Sequence, residues 1–204
     1  MSGRRAEAAR NDQIILDAAR AVFTANPEAP IAAVAERAGV GISALYRRYG
    51  SKEGMLQTLA LDGMVRNNAE AEAALADEED AWGAFARYMQ RCVEAGSGSM
   101  SVRFAGSFVA TEEMQREGRR GFELLQRLLA RTKERGGLRP EIEVGDLQLI
   151  FEQLQAVNAG GPERAGALRQ RYLAVMLDGL RASAGPELPG PPPSWDEIRR
   201  RYDR

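Results

Sequence analysis

Residues 31–56 read IAAVAERAGVGISALYRRYGSKEGML. Ala35 is small, as the crossing point of two tightly packed helices requires. Gly39 follows four residues later, where the chain must leave a helix with a positive φ that only glycine adopts cheaply. Leu45 comes six residues after that glycine, on the inner face of a second helix. Val34, Ala38, Val40 and Leu45 supply the apolar faces, and Ser43, Tyr46, Arg47, Arg48 and Lys52 point outward. The spacing predicts helices over 31–38 and 42–48, joined by a tight turn. Such a helix-turn-helix places its second helix in a major groove while its flanks hold phosphates.

The flanking sequence extends this helical reading. Residues 12–25 place Ile14, Ile15, Ala18, Ala19, Val22 and Phe23 on one face at helical spacing. Pro27 and Pro30 end that helix and set up the next. Ser51 is a good N-cap for a helix running to about residue 76, with Glu53 in its first turn. Beyond it, helices are expected over 81–95, 102–110, 112–135, 144–158 and 163–183, with GSGSMS (96–101) as a flexible break. ELPGPPPS (187–194) reads as an extended tail, and SWDEIRRRYDR as a last helical turn docked by Trp195. No segment has a convincing period-two pattern. The fold class expected is all-α, with a DNA-binding head over 1–51 and a connecting helix over 52–76. A larger helical domain over 77–184 and a Pro-rich tail over 185–204 complete the expected division.

Composition narrows the chemistry. The 204 residues include 28 Lys or Arg and 29 Asp or Glu, for a net charge of −1. Residues 1–56 carry eight basic and six acidic groups, whereas the remainder carries 20 and 23. This modest asymmetry fits a DNA-reading head on an acidic body. There is no His, which removes imidazole catalysis and most transition-metal sites; no metal or cofactor is expected. Cys92 is the single cysteine and reads as a small buried hydrophobe. No apolar run approaches the roughly 20 residues that span a bilayer, and the N-terminus lacks a signal-peptide core, so a cytoplasmic location is expected. The rival reading is an all-helical enzyme or ligand carrier. The chain has no Gly-rich phosphate loop or nucleophile elbow. The carboxylate neighbours Glu78–Glu79 and Glu112–Glu113 diverge on a helix.

Three segments together resemble the TetR family of bacterial transcriptional regulators: IILDAARAVF, VAERAGV and LYRRYGSKEGML, all within the first 60 residues. The resemblance implies a homodimer that binds a pseudo-palindromic operator, with a small-molecule ligand that lowers DNA affinity. The family's groove-facing positions fall on Gly41, Ile42, Ser43, Ala44, Tyr46, Arg47 and Arg48, and its phosphate-binding lysine falls on Lys52. Tyr46 is expected to reach a phosphate, and Tyr49 to pack the head's core. Pro30 stands where a capping Thr is common, and Ile42 and Ala44 stand where longer polar residues and a Thr are common. Arg47 and Arg48 then carry more of the contact, and Ile42 and Ala44 suit thymine methyl groups. Arg4, Arg5 and Arg10 form either a minor-groove arm or a disordered basic tail.

In the body, Trp82, Phe85, Met89, Cys92, Met100, Phe104, Phe108, Phe122 and Leu125 are the candidate lining of a ligand cavity. The effector expected there is largely apolar. Leu147, Ile150, Phe151 and Leu154 make one apolar stripe, and Tyr172, Val175, Met176 and Leu180 another. Each stripe can cover its own core or meet a second copy in an intersubunit four-helix bundle. Dimerisation answers a physical need, because two recognition helices about 34–36 Å apart read two half-sites.

Overall fold

The computed structural model describes residues 2–96, 107–182 and 185–200. Among these, helices α1 (Ser2–Ala25), α2 (Ile31–Ala38), α3 (Ile42–Tyr49) and the start of α4 (Lys52–Ala76) make a head. The rest of α4, α5 (Ala81–Glu94), α6 (Glu112–Glu134), α7 (Val144–Ala156), α8 (Gly161–Leu180) and the short α9 (Trp195–Arg200) make a body. The described residues hold no strand, only an isolated bridge between Leu138 and Arg181. The all-α class read from the sequence holds. No helix among the described residues is long and apolar enough to cross a membrane.

The head closes around Phe23, Val34, Leu45, Met55 and Leu59, each 0 % exposed. Burying a side chain of this size stabilises by roughly 1.5–3 kcal/mol. The turn inside the motif works through Gly39, at φ 67°. That conformation brings the Val40 N–H to the Ala35 carbonyl at 3.0 Å and ends α2 within one turn. At the next junction the Ser51 hydroxyl accepts from the Gly54 N–H at 3.0 Å, the N-cap expected for α4. Pro30 precedes α2 without a side-chain cap. Helix α1 starts ten residues earlier than the apolar pattern suggested. The added segment, SGRRAEAARN, is rich in Ala, Arg and Glu, which favour helix without needing a buried face. The backbone at Arg4, Arg5 and Arg10 is therefore helical, neither an extended arm nor a tail.

A second core lies in the body, with Phe85, Met89, Leu128, Leu147, Leu154 and Leu173 at its centre. Asn68 stitches α4 to α6, donating through Nδ2 to the Glu117 carbonyl at 3.0 Å and to its carboxylate at 2.8 Å. Helix α8 ends at Leu180, short of the expected 183, because Arg181 turns into the bridge with Leu138. There Arg139 N–H donates to the Leu180 carbonyl at 3.0 Å, and the Arg181 guanidinium lies 4.7 Å from the Trp82 ring centre.

The tail is a packed strap. Arg139 donates to the Pro186 carbonyl, and the Leu188 N–H donates to Glu141. The Pro193 carbonyl passes so close to α7 that a Cβ on Gly145 would lie 2.2 Å from its oxygen. Ser194 then caps α9 together with Glu197. The Trp195 ring stacks on Phe122 at 4.7 Å, as the docking role expected of it requires, but Ile198, 2 % exposed, is the deeper anchor.

Head and body meet along α4. Arg20 of α1 pairs with Asp62 of α4 at 2.9 Å, and Arg66 pairs with the same carboxylate at 2.8 Å. Residues 107–110 are turn and extended chain where a helix over 102–110 was expected; residues 102–106 lie outside the described residues. Val109 bridges to α4, with its carbonyl accepting from Gln57 at 2.9 Å and its N–H donating to Glu53 at 3.3 Å.

Candidate DNA-binding face and the body behind it

Helix α3 buries one residue completely, Leu45, and its last residue, Tyr49, is half-buried against the same core. With that side pinned, the opposite side is set. Gly41, Ile42, Ser43, Tyr46, Arg47 and Arg48 are exposed, and Ala44 is half-buried beside them. Ile42 and Tyr46 are 41 % and 49 % exposed, large side chains left partly open to solvent. Six of the seven residues expected to face a groove are thus exposed, around the part of α3 that Leu45 leaves free.

The cations on this face differ in what they touch. Arg47 makes no ion pair among the described residues. Arg48 is paired with Asp12 of α1, and its guanidinium sits 5.8 Å from the Tyr49 ring centre. Lys52 turns inward. Its Nζ donates to the Pro27 carbonyl at 2.8 Å and lies 5.5 Å from the Phe23 ring centre. The lysine expected on a phosphate therefore ties α4 to the loop between α1 and α2. A half-buried ammonium takes the nearest carbonyl, and that carbonyl is 25 residues away in sequence.

The candidate ligand lining divides three ways. Phe85, Met89 and Cys92 are buried in a close-packed core, with Phe122 and Leu125 half-buried at its edge. Phe108 is elsewhere: it packs on the head's core, because the chain at 107–110 crosses to α4. Phe104 and Met100 lie outside the described residues. The groove found in the body is open and charged, lined by Leu75, Glu78, Arg127, Arg131, Glu134 and Arg135, away from the expected apolar lining. At the centre of the apolar set is a polar group that sequence reading passed over. The Asn67 Oδ1 accepts from the Cys92 thiol at 3.0 Å and from the Tyr88 hydroxyl at 3.3 Å. Burial, helped by the neighbouring Cys92, pushes the Tyr88 hydroxyl well above its ordinary pKa. The consecutive asparagines Asn67 and Asn68 in a helix otherwise read as a connector were the available signal.

The two candidate dimer stripes also divide. Leu147, Phe151, Leu154 and Leu180 are buried in the chain's own core, each 5 % exposed or less. Ile150 and Met176 are half-buried at its margin. Tyr172 and Val175, 48 % and 63 % exposed, face outward from α8. The apolar period was real, but the core takes the side carrying Leu173, Leu177 and Leu180.

A helix-turn-helix head with an exposed basic and apolar recognition surface, carried by a larger helical body, defines the class of DNA-binding transcriptional regulators. The chain belongs to the TetR family. The profile of bacterial regulatory proteins of the tetR family matches residues 15–59, and that of the SbtR-like regulator C-terminal domain matches 77–182, more than half of the chain. Solved structures share the fold. A TetR regulator of Streptomyces coelicolor is 22% identical with a TM-score of 0.62, covering 84% of this chain and 99% of its own. One from Mycobacterium vanbaalenii is 25% identical at 0.61, covering 87% and 98%. LfrR of Mycobacterium smegmatis, solved in complex with proflavine, is 22% identical at 0.62, covering 82% and 96%. No protein of curated function matches the chain.

Proposed function

We propose that this regulator is a homodimeric repressor that binds a two-fold symmetric operator and leaves it when a small molecule occupies the body. The observation that carries the reading is the surface of α3, with Leu45 buried and Ile42, Ser43, Tyr46 and Arg47 presented together. Arg47 supplies the base contact, since a free guanidinium suits the O6 and N7 acceptors of guanine. Ile42 and Ala44 meet thymine methyl groups, and Tyr46 donates to a phosphate. The second subunit docks on the outward side of α8 through Tyr172 and Val175, with Met176 and Ile150 at the margin. This smaller seam replaces the two full stripes.

The effector is largely apolar with one polar group, matched to the core around Phe85 and Met89 and to the Asn67–Tyr88–Cys92 cluster. A regulator of the same fold that holds proflavine supports a small-molecule effector in kind. Binding must open the packing of α5 and α6, and α4, anchored to the head by Arg20 and Asp62, carries that shift to α3. A ligand that prefers the opened body lowers operator affinity by linkage.

Selection of bound sequences from random duplex DNA at fixed near-physiological salt tests this reading. The expected product is one symmetric site with half-sites about one helical turn apart. An asymmetric site bound by a monomer would end the dimer reading. Recovery of nothing after unfolding, ligand removal and refolding would end the DNA-binding reading.

A further inference from the structure

Two buried polar atoms beside the recognition helix have no hydrogen-bond partner: Asp12 Oδ1 and the Tyr49 hydroxyl. Between them stands Arg48. Its guanidinium is paired with the other oxygen of Asp12, across 36 residues of sequence, and overlies the Tyr49 ring. Burial raises the Tyr49 pKa most, the Arg48 guanidinium pulls it down by its charge and by its approach to the hydroxyl, short of a well-formed hydrogen bond, and the Asp12 charge raises it again, so the three groups share one electrostatic site. A buried polar atom without a partner carries its full desolvation cost. The arrangement thus has two orphaned atoms while Arg48 stays on Asp12, and one rearrangement removes both. If Arg48 swings to an external anion, the Tyr49 O–H donates to Asp12.

We propose that Asp12 competes with DNA phosphate for Arg48, and that Tyr49 takes over Asp12 when Arg48 is handed to the backbone. The inference rests on the reading of α3 as the helix that meets DNA. It makes α1 a tuner of affinity: Asp12 lowers the avidity of the head for every duplex, without reading sequence. Half of the Arg48 side chain is already open to solvent, at 48 %, and Asp12 is 28 % open, so the exchange needs only a side-chain rotation.

The test is titration of the full chain against an unselected short duplex over a range of salt, for wild type, Asp12→Asn, Arg48→Met and the double variant. Asp12→Asn is expected to bind about two- to fivefold tighter, the range of an exposed ion pair, with an unchanged log K against log salt slope because Arg48 meets phosphate in both complexes, whereas Arg48→Met should make the slope shallower by about 0.9. Adding Arg48→Met must remove that gain. A gain that survives Arg48→Met is mere loss of a negative charge and overturns the proposal, as does an Arg48→Met slope equal to that of wild type. Tyr49→Phe keeps the Asp12–Arg48 pair but removes the hand-over donor, and should weaken binding about twofold. If thermal melting shows Asp12→Asn unfolded, Tyr49→Phe decides: unchanged binding overturns the exchange. Equal duplex affinity of wild type and folded Asp12→Asn also overturns it. No duplex binding by either protein removes the DNA-binding reading as well.

Discussion

The head and the body solve the same problem, burying helix faces, over very different lengths of sequence. The head's buried core runs from Ile15 to Leu59, and neighbouring helices meet neighbouring helices. The body's core runs from Ala71 to Leu180, and Ile198 of the tail is buried outside it. A local core leaves its outer face to be shaped for contact. A core assembled from distant pieces has more ways to loosen, which a regulatory domain needs.

The sharpest way to break the contrast is to empty each core in turn. Leu45→Ala should cost about 2–5 kcal/mol and abolish DNA binding. Hydrogen exchange should show lost protection in α1–α3 with α6 and α8 unchanged. Phe151→Ala should cost about 3–5 kcal/mol and unprotect the body first. Loss of protection everywhere in both variants would mean that the two cores melt as one unit.

The strap offers a gentler probe. A methyl group on Gly145 would strike the Pro193 carbonyl, so Gly145→Ala should lift the tail at a cost of about 1–3 kcal/mol. The change is visible as altered Trp195 fluorescence, since that ring loses Phe122. Duplex binding should be unaffected; a matching loss of binding would show that the tail speaks to the head. Smaller again, Arg47→Ala should cost about 1–3 kcal/mol at the selected operator and relax preference at one base pair. Equal weakening on all sequences would reassign Arg47 to the backbone.

Acid gives the smallest expected effect. Backbone N–H groups, that of Asp80 first, hold Asp77 below its ordinary pKa. Glu141 is held low chiefly by its own N–H, and Glu197 by the Ser194 hydroxyl. All three sit in the body or tail. A depressed carboxylate contributes stability above its unfolded pKa and loses it as pH falls through the folded one. Below about pH 4, where model carboxylates titrate, the body and strap should therefore loosen before the head. Tryptophan fluorescence followed against DNA binding after neutralisation checks the order.

The head was legible because its determinants are local. Gly39, Leu45 and Ser51 each act within six residues of themselves, through a turn, a helix face and a cap. What the local pattern does not show there is which groups of the chain two long cations touch. Lys52 and Arg48 can each reach several acceptors, and the choice is made by Pro27 and Asp12, which only the folded head brings alongside. In the body, the apolar stripes showed that α7 and α8 bury a face without showing against what. Leu147, Phe151 and Leu154 read equally well as core or as partner surface. Phe108 was lost for a related reason: an aromatic beside a glycine-rich break carries no address for the helix it will cover. The tail was read as extended and docked by Trp195, whereas the pairing of Pro193 with Gly145 has no local signature.

The separation of the two cores has a consequence for the order in which this regulator comes into being. During synthesis the chain emerges from its N-terminus, and domains fold as units. Every buried residue of the head's core is available once Leu59 has emerged, whereas the body's core cannot close until Leu180 has. A nascent chain therefore presents a folded recognition helix long before it has the α8 surface proposed for pairing. On the dimeric reading proposed above, a lone head touches DNA weakly and tight occupancy awaits the completion of two bodies, so that operator binding would count finished molecules.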